Sequence, residues 1–333
     1  MREQTMQALL CESFGPPENL ALREVPVPQP GAGEVLIRIR TAGLNFPDSL
    51  IIQDKYQIKA PLPFAPGGEL AGVVAAVGPG VTRLRAGDRV AALTHWGGFA
   101  EYVAAREQNA TGVPDTMDLD VAAAFTLVYG TAYYALKQRG ALQPGETVLV
   151  LGASGGVGLA AVEVAKAMGA HVIAGASTAA KLAIAGAHGA DALINYAEQD
   201  LKSAVKAMTG GKGVDVIYDP VGDRLADPAF RTIGWGGRYL VIGFAGGQIP
   251  AIPLNLALVK GAAIVGVFWG DFVERESAAH HRNMAELYAM HAAGKLRPLI
   301  SARFPIAQGG AAIRMMMDRK VTGKVIVTGT DGR

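Results

Sequence analysis

The sequence predicts an α/β protein in two parts, a compact β-barrel-like region followed by a parallel sheet covered on both faces by helices. Three observations carry this reading. The chain has 333 residues, more than one ordinary hydrophobic core supports, so two domains are expected. Residues 1–124 hold short apolar runs punctuated by glycine and proline, the pattern of a small barrel. After Pro114 the character changes, and from about Val121 apolar strands alternate with alanine-rich helical stretches, which indicates βαβ units.

In the first part, Val35-Leu36-Ile37-Arg38-Ile39-Arg40 alternates apolar and charged side chains, as a half-buried strand does. Pro26, Pro28 and Pro30 force an extended approach to it. A second apolar run, residues 70–77, is closed by Gly78-Pro79-Gly80, and a third, residues 89–93, follows Ala86-Gly87-Asp88. In the second part, strands are expected at 147–151, 171–176, 214–218, 238–242 and 262–267, with a helix at 159–168. The tail from about residue 273 carries a helix at 284–293 and a final strand at 324–328. No internal repeat and no disordered linker is visible.

Composition narrows the function classes. Half of the residues are apolar and 18% are charged, which suits a soluble globular protein. A net charge of +2 gives no support for nucleic acid or an acidic membrane as partner. The 43 glycines cluster at the ends of apolar runs, so they read as turns and phosphate loops. The single cysteine, Cys11, excludes an intrachain disulfide and fits a reducing compartment. The polar start lacks a signal peptide's apolar segment, and the apolar stretch 159–168 contains Glu163 and Lys166, so it does not span a bilayer. A cytoplasmic enzyme is the expectation.

The strongest local signal is the strand Thr147-Val148-Leu149-Val150-Leu151 running into Gly152-Ala153-Ser154-Gly155-Gly156-Val157-Gly158 and a helix. Unpaired N–H groups at a helix N-terminus carry partial positive charge, and glycines let a pyrophosphate approach them. Gly155 and Gly158 take the second and third places of the dinucleotide fingerprint, with Ala153 where the first glycine is usual. Ser154 then offers its hydroxyl to phosphate. The same residues fit a second pattern: Gly152-Ala153-Ser154-Gly155-Gly156 is also G-x-S-x-G, the nucleophile elbow of a serine hydrolase, with Asp219 and His280 following in the right order. Gly158 has no part in an elbow.

Taken together, several motifs resemble the medium-chain dehydrogenase/reductases, specifically their zinc-independent quinone oxidoreductase (zeta-crystallin-like) branch. They are Pro28-Gln29-Pro30-Gly31-Ala32-Gly33-Glu34-Val35, Ala42-Gly43-Leu44-Asn45-Phe46-Pro47-Asp48, Pro66-Gly67-Gly68-Glu69 with Ala71-Gly72, Ala86-Gly87-Asp88-Arg89-Val90, Gly97-Gly98-Phe99-Ala100-Glu101-Tyr102 and Gly323-Lys324-Val325. The resemblance covers nearly the whole chain. It implies a GroES-like β-barrel catalytic domain over 1–124, completed by the tail 268–333, and a Rossmann doubly wound parallel sheet over 125–267, with the active site in the cleft. It also implies a homodimer joined through the strand at 262–267.

The resemblance further implies NADPH as cofactor, a small quinone or enone as substrate, and roles for particular residues. Asn45 and Tyr56 line the cleft as the catalytic pair. Thr131, in Tyr129-Gly130-Thr131-Ala132-Tyr133, reaches the cofactor, and Ser154, Gly155, Gly156, Val157 and Gly158 hold its pyrophosphate. Phe244 and Ala245 pack along it, Phe268, Trp269 and Gly270 flank the carboxamide, and Lys324 closes the cleft. Asp219-Pro220-Val221-Gly222 matches the family's Asp-x-Val-Gly, although Asp223 replaces the next glycine. No metal is expected, because metal-dependent relatives carry cysteine where this chain has Asn45 and histidine where it has Gly68. Asp48 is the only acid of its motif and reads as a loop cap, a general acid being the alternative.

Cofactor choice is read at the second Rossmann strand. An NAD site places an acid there, roughly 20 residues past the fingerprint. Between Glu163 and Asp191 there is none, and the strand end reads Ala176-Ser177-Thr178-Ala179-Ala180-Lys181. Ser177 and Lys181 are therefore expected at the 2′-phosphate of NADPH, and the resemblance implies that Tyr196, in Ile194-Asn195-Tyr196, lies over the same phosphate. The expected reaction is hydride transfer to a quinone. The alternatives are an enoyl or 2-alkenal double-bond reductase of the same fold, a serine hydrolase using Ser154, and a redox-inactive NADPH-binding protein.

Overall fold

The computed structural model describes residues 4–329, which form two compact units. The first comprises the chain up to Leu127, then Val273–Met284, then the stretch from Pro298 onward; the second comprises Val128–Phe272 and Ala285–Arg297.

Among the described residues of the first unit, seven strands form one sheet. Its order is Ile300–Pro305, Lys324–Thr328, Glu34–Gly43, Glu69–Val77, Arg89–Leu93 and Ala110–Gly112, with Tyr102–Arg106 also pairing onto Glu34–Gly43. The tail strand runs antiparallel to the long N-terminal one, with Ile326 opposite Gly43 and Val327 opposite Ala42. Inward residues Val35, Ile37, Leu70, Val74, Val90 and Val325 make the core, as the period-2 pattern requires. The pairing of Glu34–Gly43 with Glu69–Val77 slips twice, between Leu36 and Ile37 and between Ile39 and Thr41. Gly72 lies at the second slip: a Cβ there would sit 2.1 Å from the Arg38 carbonyl oxygen, so only glycine fits.

The second unit is a six-stranded parallel sheet in the order Ala192–Asn195, His171–Ala176, Thr147–Leu151, Val214–Asp219, Ile233–Val241 and Ala263–Gly266. Numbered along the chain within this unit the order is 3-2-1-4-5-6, the doubly wound order of a dinucleotide-binding sheet. Val148, Leu149, Val150 and Leu151 are all fully buried, which explains why that strand reads as an unbroken apolar run.

The boundaries differ from the expected 124/125 and 267/268. The line falls between Leu127 and Val128, inside the helix Thr126–Tyr133, and again after Phe272. Residues 268–272 stay with the second unit because Trp269 packs on Gly130 and Phe272 stacks on Tyr134 at 4.1 Å. The tail is also shared. Its helix runs Ser277–Ala292, longer than the expected 284–293. From Ala285 it belongs to the second unit, where Tyr133 and Lys137 donate to Glu286 and the Arg297 N–H donates to Glu163 at 2.9 Å.

Candidate active site

In the first unit, the strand Glu34–Gly43 ends at Leu44-Asn45, and the short helix Phe46–Ile51 begins there. Asp48 secures that start. Its carboxylate accepts the Asn45 N–H at 2.7 Å and the Gly67 and Gly68 N–H groups, each at 3.2 Å. Asp48 is thus a loop cap tying the Pro66-Gly67-Gly68 turn to Asn45. Burial pushes its pKa up to about 6, against the opposing pull of the Asn45 N–H and the Lys324 ammonium. Burial, and then the Asp48 charge, hold the Tyr56 phenol above its ordinary pKa.

Asn45, Glu69 and Lys324 form one buried cluster. Lys324 Nζ donates to Asn45 Oδ1 at 2.6 Å, to Glu69 Oε2 at 2.9 Å and to the Leu44 carbonyl at 2.9 Å. Asn45 Nδ2 donates to Glu69 Oε2 at 2.8 Å and to the Gly43 carbonyl at 3.1 Å. The other Glu69 oxygen accepts the Leu127 N–H at 2.7 Å. An ammonium has three hydrogens, and all three of Lys324 are engaged within the protein. Glu69 was not singled out from the sequence. The available signal was an acid heading the apolar run 70–77 and a lysine heading the terminal strand.

In the second unit, the loop after Thr147–Leu151 makes its left-handed turn at Gly152, with φ +59°, one residue before the fingerprint's usual place. Ala153 is therefore no obstacle and is fully buried. The helix Gly156–Ala167 follows, and no side chain caps it at Gly155. The N–H groups of Gly156, Val157 and Gly158 thus have no intrahelical partner. A Cβ at Gly158 would lie 2.2 Å from the Gly152 carbonyl oxygen, so that glycine is required for the helix to pack on the loop. A Cβ at Gly155 would meet only that same oxygen, at an ordinary 3.5 Å. No atom of the protein demands glycine at 155, and the space left there suits a pyrophosphate.

Several of the other expected residues of this unit follow the C-terminal ends of its strands. Ser177 directly follows His171–Ala176. Thr178 caps the next helix by accepting the Lys181 N–H at 3.2 Å. The Tyr196 ring lies against Gly175, 3.3 Å from where a Cβ would be, and its N–H donates to the Ala176 carbonyl at 3.1 Å. Phe244 packs on Gly222, and the Ala245 N–H donates to the Pro220 carbonyl at 3.1 Å. Asp223 takes the left-handed conformation a glycine would, with φ +53°, so the loop keeps its turn. Thr131 is buried in the helix Thr126–Tyr133. Of the last trio, Phe268 and Gly270 are exposed, whereas Trp269 is buried against Gly130.

The hydrolase alternative finds no support in this geometry. Both oxygens of Asp219 are used locally, one accepting the Val221 and Gly222 N–H groups at 2.7 and 2.8 Å, the other the Tyr239 hydroxyl. Nor does Ser154 take the positive φ of a strained elbow among the described residues. A second buried network went unread in the sequence: Glu163 accepts from Tyr129 at 2.6 Å and contacts His188 Nδ1 at 2.6 Å. It ties the phosphate-loop helix to its neighbours.

Comparison with known proteins agrees with both units. The family model described as alcohol dehydrogenase GroES-like domain matches residues 31–115, and that described as zinc-binding dehydrogenase matches residues 156–286. Quinone oxidoreductase-like protein 2 of Rattus norvegicus is 36% identical over 324 residues, covering 97% of this chain and 92% of the relative. Quinone oxidoreductase of Homo sapiens is 33% identical over 328 residues, covering 98% of each. The solved structure of Escherichia coli quinone oxidoreductase complexed with NADPH is similar at a TM-score of 0.89 and 28% identity, covering 98% of this chain and 100% of that one. A mycobacterial protein complexed with NADPH gives 0.91 and 32%, covering 97% and 100%. The chain belongs to the medium-chain dehydrogenase/reductase superfamily, in its quinone oxidoreductase branch.

Proposed function

We propose that this chain is an NADPH-dependent, zinc-independent oxidoreductase acting on a small quinone or similar conjugated carbonyl compound. The observation that carries the reading is the uncapped helix N-terminus at Gly156 beside a second strand end that offers Ser177 and Lys181 and no acid, with Tyr196 at the end of the neighbouring strand. NADPH, when bound, supplies the hydride. The N–H groups of Gly156, Val157 and Gly158 would hold its pyrophosphate, with Ser154 as an added donor. Lys181 would meet the 2′-phosphate, with Ser177 and Tyr196 beside it. Tyr56 or water would give the acceptor its proton.

Three features support a metal-free mechanism. The cation within the Asn45 cluster is Lys324, which already neutralises Glu69. A Cβ at Gly68 would sit 2.8 Å from the Thr94 carbonyl oxygen, so the ligand histidine of metal-dependent relatives has no room without a shift. Among the described residues no cluster of three or more histidine, cysteine or acidic groups is placed to hold an ion. The test is NADPH oxidation with 1,2-naphthoquinone, 1,4-benzoquinone and 2-alkenals, before and after chelation. Turnover with the quinones is expected to survive chelation unchanged. One zinc per chain whose removal abolishes activity would overturn the metal-free reading, and preference for the alkenals would favour the double-bond reductase.

The active species we propose is a cytoplasmic homodimer. Ala263–Gly266 ends the sheet, pairing with Ile233–Val241 among the described residues. Around it Trp235 is 84% exposed, Leu258 80% and Leu254 76%, a run of large apolar surface that water penalises. No described helix is long and apolar enough to cross a membrane. Leu258→Asp is expected to shift the protein from dimer to monomer in sedimentation velocity; a wild-type monomer would count against the pairing.

A further inference from the structure

We infer that Glu163 is a positioning residue for the cofactor: its buried carboxylate locks together three helices that carry separate contacts to NADPH, so that one ligand meets all of them without rearrangement. The inference rests on the proposed reading of residues 156–158, Lys181 and Thr131 as those contacts, with Thr131 at the nicotinamide half.

Glu163 lies in the helix Gly156–Ala167, about 9 Å along its axis from Val157. Its Oε1 contacts His188 Nδ1 at 2.6 Å. His188 caps the C-terminal end of the helix Ala179–Ala187, roughly 10 Å along the axis from Lys181. The other oxygen, Oε2, accepts the Tyr129 hydroxyl at 2.6 Å. Tyr129 lies in the helix Thr126–Tyr133, and Thr131, two positions on, leaves that helix on the opposite side. Oε2 also accepts the Arg297 N–H at 2.9 Å. The Arg297 guanidinium donates to the Ala187 carbonyl at 3.0 Å, which ties the same helix end a second time.

Donors and acceptors match at every contact. An ionised carboxylate only accepts, and it meets a phenol O–H, a backbone N–H and, with the ring proton on Nδ1, an imidazole N–H. Burial, and then the Glu163 charge, hold the Tyr129 phenol well above its ordinary pKa, so it remains a donor. Glu163 is 2% exposed and Tyr129 3%, so bulk water does not compete for these contacts, and losing one loosens the helix that made it. A ligand that spans several groups binds more tightly when they are already aligned, because less ordering is left for binding to supply. The penalty for loosening one helix therefore falls on ligands that reach that helix. Adenosine 2′,5′-bisphosphate reaches the phosphate loop and Lys181; NADPH reaches Thr131 as well.

Calorimetric titration of the intact protein with each ligand, well below the Tm of each variant, tests the links one by one. Tyr129→Phe cuts the tie to the Thr131 helix. It is expected to weaken NADPH at least about fivefold and to leave adenosine 2′,5′-bisphosphate within about twofold of wild type. His188→Leu cuts the tie to the Lys181 helix and is expected to weaken both ligands by similar factors, each at least about fivefold. Glu163→Gln keeps a carbonyl oxygen for Tyr129 and Arg297 and turns an N–H toward His188, whose own proton moves to Nε2. Both affinities are expected to stay within about threefold in that variant. Equal effects of Tyr129→Phe on the two ligands, or wild-type affinities in Tyr129→Phe and His188→Leu with only Tm lowered, would show a merely structural network. A loss of more than about 10-fold in Glu163→Gln would mean that the charge at 163 acts rather than the alignment, and would overturn the inference. A wild type that binds neither ligand would sink the proposed function as well; every other failure leaves that reading standing and removes only the role of Glu163.

Discussion

Gly158→Ala is expected to weaken NADPH binding by more than ~100-fold. The new methyl carbon would lie 2.2 Å from the Gly152 carbonyl oxygen, 2.8 Å from its carbon and 3.1 Å from Ala153 Cα. All three are backbone atoms, so no rotamer change relieves the overlap. Either the helix Gly156–Ala167 lifts or the loop opens, and both displace the N–H groups proposed to meet the pyrophosphate. A hydrogen bond to a charged group is worth about 1.5–3 kcal/mol, so losing two corresponds to roughly 100-fold or more. Gly155→Ala is the matched control. Its methyl finds ordinary van der Waals space, so Tm should hold, and any affinity it loses reports crowding of the ligand itself. Fluorescence titration with NADPH, paired with thermal unfolding, measures both. Wild-type affinity in Gly158→Ala would show that the loop does not cradle the cofactor.

Ser177→Asp is expected to invert cofactor preference, and Lys181→Ala to abolish it. Ser177 follows the strand His171–Ala176, with the Tyr196 ring against Gly175 at the same end. An aspartate at 177 would face the 2′-phosphate with like charge while offering an acceptor to the free 2′-hydroxyl of NADH. Loss of the Lys181 ammonium removes a charge-assisted contact of about 1.5–3 kcal/mol, roughly 10- to 150-fold in affinity. The KM for NADPH should rise by that factor in Lys181→Ala while the KM for NADH stays nearly constant. In Ser177→Asp the two effects combine, for a change in the NADPH/NADH kcat/KM ratio on the order of 1,000-fold. Equal effects on both cofactors, or a wild type that uses NADH as well as NADPH, would show that this strand end does not read the 2′-phosphate.

The elements that were legible in the sequence are those whose signal is local. The terminal strand Lys324–Thr328 and the first Rossmann strand Thr147–Leu151 lie where their apolar runs and flanking glycines put them. The phosphate-loop helix was placed late, at 159, because Gly156 and Gly158 are poor helix formers read in isolation; the helix starts at Gly156 because packing on the loop outweighs that propensity. Ala153 looked like a defect because the fingerprint counts positions, whereas the backbone needs one left-handed residue and Gly152 supplies it. Asp223 raised the same doubt and likewise adopts the turn. What stayed hidden was pairing over long separations. Nothing near Glu69 announces Lys324, 255 positions later, and nothing near Glu163 announces Tyr129 or Arg297. The ion pair that Lys324 makes with Glu69 is a long-range contact of this kind.

The strand Lys324–Thr328 also orders events during synthesis. Its partners Thr41, Ala42 and Gly43 leave the ribosome some 280 residues earlier, and the second unit's main stretch, Val128–Phe272, is finished in between. Until Lys324 emerges, the nascent barrel has an open sheet edge and a Glu69 carboxylate with no cation to meet it. Every strand of the second unit's sheet is therefore synthesised while the first unit's sheet still lacks its last strand. The first unit, begun first, receives its last strand last, and with it the Lys324 that pairs with Glu69 and holds Asn45.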